Sequence, residues 1–172
     1  VPIGKNEDDN VVVSQHGKIN SQNTLDHLEI TEMIDVDLAV KLAGARFSVL
    51  KGDLAKLQRA LITFMINNAI GNGYEEYYLP FMANRNSLVG TGQLPKFEED
   101  LFKTYDKLYL IPTAEVPLTN LFRNEFVQEN ELPIKVTSHT PCFRSEAGSY
   151  GKDTRGLMRQ HQFEKVELLQ VT

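Results

Sequence analysis

Ile134-Lys-Val-Thr-Ser-His-Thr-Pro-Cys-Phe143 and Gly156-Leu-Met-Arg-Gln-His-Gln-Phe-Glu-Lys-Val-Glu-Leu-Leu-Gln-Val171 read as two long strands of a hairpin. The middle of the loop joining them, Gly148 to Gly156, lacks apolar packing residues apart from Tyr150. Strand side chains alternate between faces. Arg144 and Glu146 are therefore expected to point one way from the first strand, and Arg159, Phe163 and Glu167 to share one face of the second. That surface gathers two guanidinium groups, two carboxylates and a ring. A guanidinium offers a planar fork of donors to a phosphate, and a ring offers a flat base a place to stack. The collection suits a nucleotide. An ordinary solvated hairpin face with cross-strand ion pairs accounts for the same residue types equally well, so the residues alone leave both readings open.

Their order is more specific. Phe143-Arg-Ser-Glu146, a loop, and Arg159-Gln-His-Gln-Phe163 resemble motif 2 of the class II aminoacyl-tRNA synthetases, and the string from Phe143 to Glu167 is similar to its form in seryl-tRNA synthetases. Leu110-Ile-Pro-Thr-Ala-Glu-Val-Pro-Leu-Thr119 resembles the serine-binding segment of that family. Val1-Pro-Ile-Gly-Lys-Asn-Glu-Asp-Asp-Asn10 and Asp26-His-Leu-Glu29 match as well, so the resemblance runs over nearly the whole chain.

The resemblance implies a serine–tRNA ligase reaction. Serine's carboxylate attacks the α-phosphate of ATP, giving seryl-adenylate and pyrophosphate, and the seryl group then passes to the 3′-end of tRNA(Ser) or of the selenocysteine tRNA. By the same resemblance Arg144 and Arg159 are the catalytic cations. ATP is bound by Arg144, Ser145, Glu146, Gln160 and Phe163, with Glu146 on the adenine amino group and Phe163 against the ring. Thr113, Ala114, Glu115 and Glu167 bind serine. Lys152 and Arg155, in the hairpin loop, contact the tRNA acceptor end. Mg²⁺ accompanies ATP, its main protein ligand expected outside this chain. Read without the resemblance, Thr113-Ala-Glu115 caps a helix and Phe163 is a core aromatic.

The 172 residues bound the rest. An apolar share of 41% and a charged share of 24% are those of a globular domain with a real core. No apolar run approaches the length of a membrane span, and no secretory leader pattern precedes the fold, so a cytoplasmic protein without a membrane partner is expected. The single cysteine, Cys142, excludes an intramolecular disulfide and a multi-thiolate zinc site, and is expected to pack rather than react. His27, His139 and His161 lack metal-ligand spacing and are read as structural. The net charge of −5 conceals a contrast: Arg144 to Lys165 carries +2 and the remainder −7, a locally basic loop on an acidic body. This fits ATP and one end of an RNA better than a broad backbone-neutralising surface.

Residues 1–23 read as a polar lead-in, with an edge strand at Val11 to Val13. A short helix is expected from Asp35 to Ala43, ended by Gly44. A strand is expected over Phe47 to Leu50, and then the strongest helix, with Asp53 as N-cap, Leu54, Leu57, Leu61, Phe64 and Met65 as its apolar stripe, and Asn72-Gly73 as its stop. Tyr74 to Pro80 reads as an aromatic strand. By resemblance residues 53–80 are motif 1, through which such proteins form homodimers; periodicity alone does not separate a partner subunit from a core. Asn84 to Phe97 reads as a loop at the pocket mouth, Leu108 to Ile111 as a buried strand, and Thr113 to Asn120 as the start of a helix. The fold class expected is α+β, and the resemblance makes it the class II antiparallel sheet flanked by helices.

Two parts of the family plan are not in this sequence: the N-terminal coiled coil, and motif 3 with its arginine. The chain is therefore expected to be a partial catalytic domain over residues 1–172, holding an incomplete site with negligible turnover of its own. The alternatives from other classes are a noncatalytic synthetase-like binding or regulatory module and an amino acid:carrier-protein ligase.

Overall fold

The computed structural model describes residues 3–18, 24–147 and 156–172. Its centre is the hairpin. Strands β6 (Ile134–Phe143) and β7 (Gln162–Val171) pair antiparallel over their full length, from Ile134 opposite Val171 to Phe143 opposite Gln162. The short β3 (Glu75–Glu76) adds to the far side of β6, giving the order β3-β6-β7. It runs parallel to β6, at the edge of a sheet whose long pair is antiparallel as expected.

Because β6 is the central strand, its hydroxyls have no water to turn to. Ser138 Oγ donates to Tyr77 O at 2.7 Å and Thr137 Oγ1 to Glu167 O at 2.8 Å, so both are buried and satisfied. The pairing register gives the sheet two faces. Val136, Ser138, Thr140 and Cys142 on β6 lie beside Leu169, Glu167, Lys165 and Phe163 on β7. On the opposite face helix α2 (Gly52–Gly71) packs along β6 and β7, and its Phe64, Met65 and Ala69 line an open cavity with Val166 and Leu168.

The helices follow their local signals closely in one case and loosely in others. Helix α1 (Val36–Ala43) is capped by Asp35, whose carboxylate accepts from Leu38 N at 2.9 Å, and ends on Gly44 at φ 103, where a side chain would be strained. The Leu38 amide, then Lys51, hold the Asp35 carboxyl below its ordinary pKa. Helix α2 begins two residues earlier than expected. Lys51 occupies the N-cap position without a side-chain bond, and Asp53, expected there, instead sits in the first turn and pairs with Lys56 at 2.8 Å. Asn72 closes α2, as the sequence suggests.

Several expected strands are shorter or absent. Val11 to Val13 form no edge strand and lie exposed in irregular chain. The Phe47–Leu50 strand shrinks to β2 (Val49–Leu50), paired with β1 (Ile34–Asp35). Of Tyr74 to Pro80 only β3 is strand, extended by Tyr77 N donating to Thr137 O. Residues 84–97 are no loop at a pocket mouth: they hold helix α3 (Arg85–Gly90), capped by Asn84 on Ser87 N at 3.0 Å. Leu88 and Leu94 from this stretch are fully buried with Tyr109, Ile111 and Val116 in one core cluster. Tyr109 belongs to β5 (Tyr109–Leu110), which pairs with β4 (Met82–Ala83). Helix α4 (Glu115–Asn120) packs on β6 and β7, and with Leu79 and Val136 its Leu118 forms a second cluster. Among the described residues no helix is long and apolar enough to cross a membrane.

Candidate active site

The pleat stops where the site begins. Arg144 N still donates to His161 O at 3.0 Å, one step beyond the last strand pair, and the chain then turns away. Ser145 N donates to Asp100 O at 3.0 Å and Ala147 N to Asp100 Oδ1 at 3.1 Å, while Arg46 Nη1 donates to Glu146 O at 2.9 Å. These bonds hold Glu146 at φ 51, a left-handed backbone that non-glycine residues seldom adopt. On the other side residues 156–159 form turns and bends, so Arg159 precedes β7 rather than lying on its face, as alternation had predicted. The two departures from the pleat bring the expected groups together: Arg144, Glu146, Arg159, Gln160 and Phe163 line one cavity of about 410 Å³.

Within it the Arg144 guanidinium carbon lies 5.2 Å from the centroid of the Phe163 ring, and Nε donates to Pro112 O at 3.2 Å. A cation over a ring face is attracted by the ring's quadrupole, so Arg144 is held from two sides. Arg159 Nη1 pairs with Glu146 Oε2 at 3.0 Å. An ion pair, which the plain reading asked for across the strands, thus lies beyond their ends and inside the pocket of the functional one. Gln160 accepts from Ser48 Oγ at 2.8 Å, and its buried Nε2 has no partner among the described residues.

Pro112 leads straight into the second group. Thr113 Oγ1 donates to Glu167 Oε2 at 2.6 Å, and Lys165 Nζ lies 2.9 Å from Thr113 Oγ1 and 2.5 Å from Glu167 Oε2. Phe163, Lys165 and Glu167 alternate along one face of β7, about 7 Å between successive members, so this cluster adjoins the cavity without lining it. Sequence reasoning passed over Lys165, counting it only as charge. The signal was its parity with Phe163 and Glu167.

Other expected site residues are placed differently. The Ala114 methyl is fully buried in the core with Leu79, Leu118 and Val136, so it has no side-chain surface for a ligand. Glu115 stands exposed on the first turn of α4, with its N–H donating to Thr113 Oγ1 at 3.3 Å. The Ser145 hydroxyl donates to Glu99 O, away from the cavity lining. Lys152 and Arg155 lie outside the described residues. The three histidines make structural contacts: His27 Nε2 accepts from Leu157 N at 2.9 Å, His139 bonds Glu164 at 2.7 Å, and His161 bonds Arg144 O at 2.9 Å with its ring tilted against Phe47 and edge-on to Phe102. Cys142 is fully buried, and burial pushes its thiol pKa up, which suits packing and not attack.

The arrangement can do two things. The cavity offers cations and a ring to a nucleotide, and the adjoining hydroxyl, carboxylate and ammonium offer a binding place to a small zwitterion. Among the described residues no group of three His, Cys, Asp or Glu side chains could hold a metal ion.

The chain as a whole is similar to known proteins. Residues 96–171 match the family described as tRNA synthetase class II core domain (G, H, P, S and T). The serine–tRNA ligase of Hydrogenovibrio crunogenus is 59% identical over 184 residues, covering 99% of this chain and 43% of that protein. That of Teredinibacter turnerae is 57% identical over 99% of this chain and 42% of its own length. The chain thus spans a little over two fifths of the curated relatives it matches. Among solved structures, seryl-tRNA synthetase from Pyrococcus horikoshii complexed with ATP superposes with a TM-score of 0.77 at 41% identity, over 82% of this chain and 32% of that one. Cytoplasmic serine–tRNA ligase from Naegleria fowleri in complex with AMP gives 0.84 at 32% identity, over 96% and 41%.

Proposed function

This chain belongs to the class II aminoacyl-tRNA synthetases, and from that premise we propose that it supplies the ATP and amino-acid sites of a serine–tRNA ligase. The observation that carries the reading is the junction of the two groups. Arg144, over the Phe163 ring and bonded to Pro112 O, stands between the nucleotide cavity and Thr113. Adenylate formation brings a carboxylate against a phosphate, two anions that repel in water. The protein needs to position them and to supply positive charge where charge builds up.

In this reading Phe163 stacks the adenine and Glu146 accepts from its amino group. Arg144 bridges the α-phosphate and the incoming carboxylate, and Arg159 exchanges its Glu146 partner for phosphate. Thr113 and Glu167 receive the serine ammonium, with Glu115 at the outer rim for the hydroxyl. The tRNA(Ser) end then receives the seryl group. Mg²⁺ travels with ATP, held chiefly by the phosphates, and no step here runs through the ion. The test is serine-dependent exchange of pyrophosphate into ATP by the intact protein, with tRNA charging measured beside it. Exchange and charging together are expected. No exchange leaves a binding module, and exchange without charging of tRNA leaves a carrier ligase.

A homodimer through residues 53–80 is part of the same proposal. On α2, Leu57, Leu61, Phe64, Met65 and Ile70 are all more than two fifths exposed, and the buried residues are Ile66 and Ala69. All but Ile70 border open cavities between α2 and the hairpin, and all stay accessible, which on a lone subunit leaves apolar surface uncovered. Sedimentation of the intact protein at micromolar concentration is expected to show the dimer. Replacement of Leu61 and Phe64 by Glu is expected to give monomers; a wild-type monomer sinks this part of the proposal.

A further inference from the structure

The geometry points to Lys165 as an internal stand-in for the substrate's ammonium group, one that the incoming amino acid must evict and then re-partner. The inference rests on the serine reading above and adds a specificity-determining residue to it. Thr113 Oγ1 has one proton and two lone pairs. The proton goes to Glu167 Oε2, and the lone pairs face the Glu115 N–H at 3.3 Å and Lys165 Nζ at 2.9 Å. Glu167 Oε2 also takes Lys165 Nζ at 2.5 Å. A hydroxyl and a carboxylate set this close are an ammonium site, and the chain fills it from within.

The side chains of Lys165 and Glu167 are 33% and 20% exposed, so an amine from solvent can reach the pair and exchange with it. Exchange by a bare amine strands the Lys165 cation in a half-buried position beside Arg144 and without its anion, which is unfavourable. An α-amino acid carries its own anion. Its carboxylate gives the evicted Lys165 a partner, on the side of β7 where Phe163 and Arg144 lie. Recognition of the ammonium is thereby tied to recognition of the carboxylate, and the carboxylate is left facing the cation that the adenylation step uses.

The test compares serine with ethanolamine, which keeps the ammonium and hydroxyl but lacks the carboxylate, by calorimetry and as a competitor of exchange in the intact protein. In Lys165→Met the resident cation is gone. Ethanolamine is expected to bind about tenfold tighter and serine to require about tenfold more for half-saturation. Lys165→Arg, which keeps a cation, should retain the wild-type order. A merely structural lysine would move both ligands the same way, so parallel weakening, or no change in either, overturns the proposal. The unaltered protein gives a second measurement that no folding defect can obscure. There 3-hydroxypropionate, a carboxylate without an amine, should tighten ethanolamine by giving the evicted Lys165 a partner, and independent binding of the two overturns the idea. Absence of serine-dependent exchange in the unaltered protein is a different result: it removes the serine reading itself.

Discussion

Arg144→Ala is expected to lower serine-dependent pyrophosphate exchange by the intact protein on the order of a hundred- to a thousandfold, about 3–4 kcal/mol of transition-state stabilisation. The size follows from how the side chain is held. Its Nε bond to Pro112 O and the Phe163 ring beneath it fix the guanidinium before any substrate arrives. A donor already in place needs no reorganisation when negative charge builds on the α-phosphate. Arg144→Lys keeps the charge but loses the planar fork, and most of the defect should remain. The position is half-buried at a strand end, outside both core clusters, so melting temperature and circular dichroism should stay close to the parent. Exchange reduced by less than about fivefold would place the essential positive charge elsewhere.

The elements that were legible in the sequence are those whose signal is local. The hairpin strands announce themselves by length and alternation, and α1 by Asp35 and Gly44 at its two ends. Helix α2 was legible as a helix, but its facing was not. Periodicity says that Leu57, Leu61 and Phe64 share a side, and says nothing of what covers it; here that side is exposed. Asn84 to Phe97 misled because Gly, Asn and Pro suggest a loop, while Asn84 in fact caps α3 and Leu88 and Leu94 anchor the stretch in the core. Tyr74 to Pro80 has strand composition throughout, yet only its first part meets a partner, since pairing is a tertiary property that composition cannot supply.

The site was legible for a different reason from the one the pleat offered. Alternation placed Arg144, Glu146 and Arg159 on one surface by treating them as strand residues, and none of them is. They meet because Asp100 and Arg46, distant in sequence, bend the chain after Phe143. No short-range rule reaches those two residues. Lys165 is the reverse case: strand alternation alone could have put it on the face of Glu167, which it contacts, but it was counted only as charge.

Glu167→Ala is expected to act on serine alone. The carboxylate has two tasks in this geometry: it holds Thr113 Oγ1 and Lys165 in the resting protein and receives the ammonium of the substrate in the proposed complex. Truncating it leaves the half-buried Lys165 cation without the carboxylate it shares with Thr113. Loss of one partner from such a pair costs about 2–4 kcal/mol, roughly thirty- to a thousandfold in kcat/KM for serine. Glu167→Gln keeps an acceptor but no charge and should fall between. ATP is expected to be unaffected, because the nucleotide cavity is lined by Arg144, Glu146, Arg159, Gln160 and Phe163 and not by Glu167. The two variants therefore separate the two halves of the site. Arg144→Ala lowers the rate of the step in which both substrates meet, whereas Glu167→Ala raises the KM for serine and leaves that for ATP in place. An equal rise in both KM values would mean that Glu167 holds the hairpin together and not the amino acid.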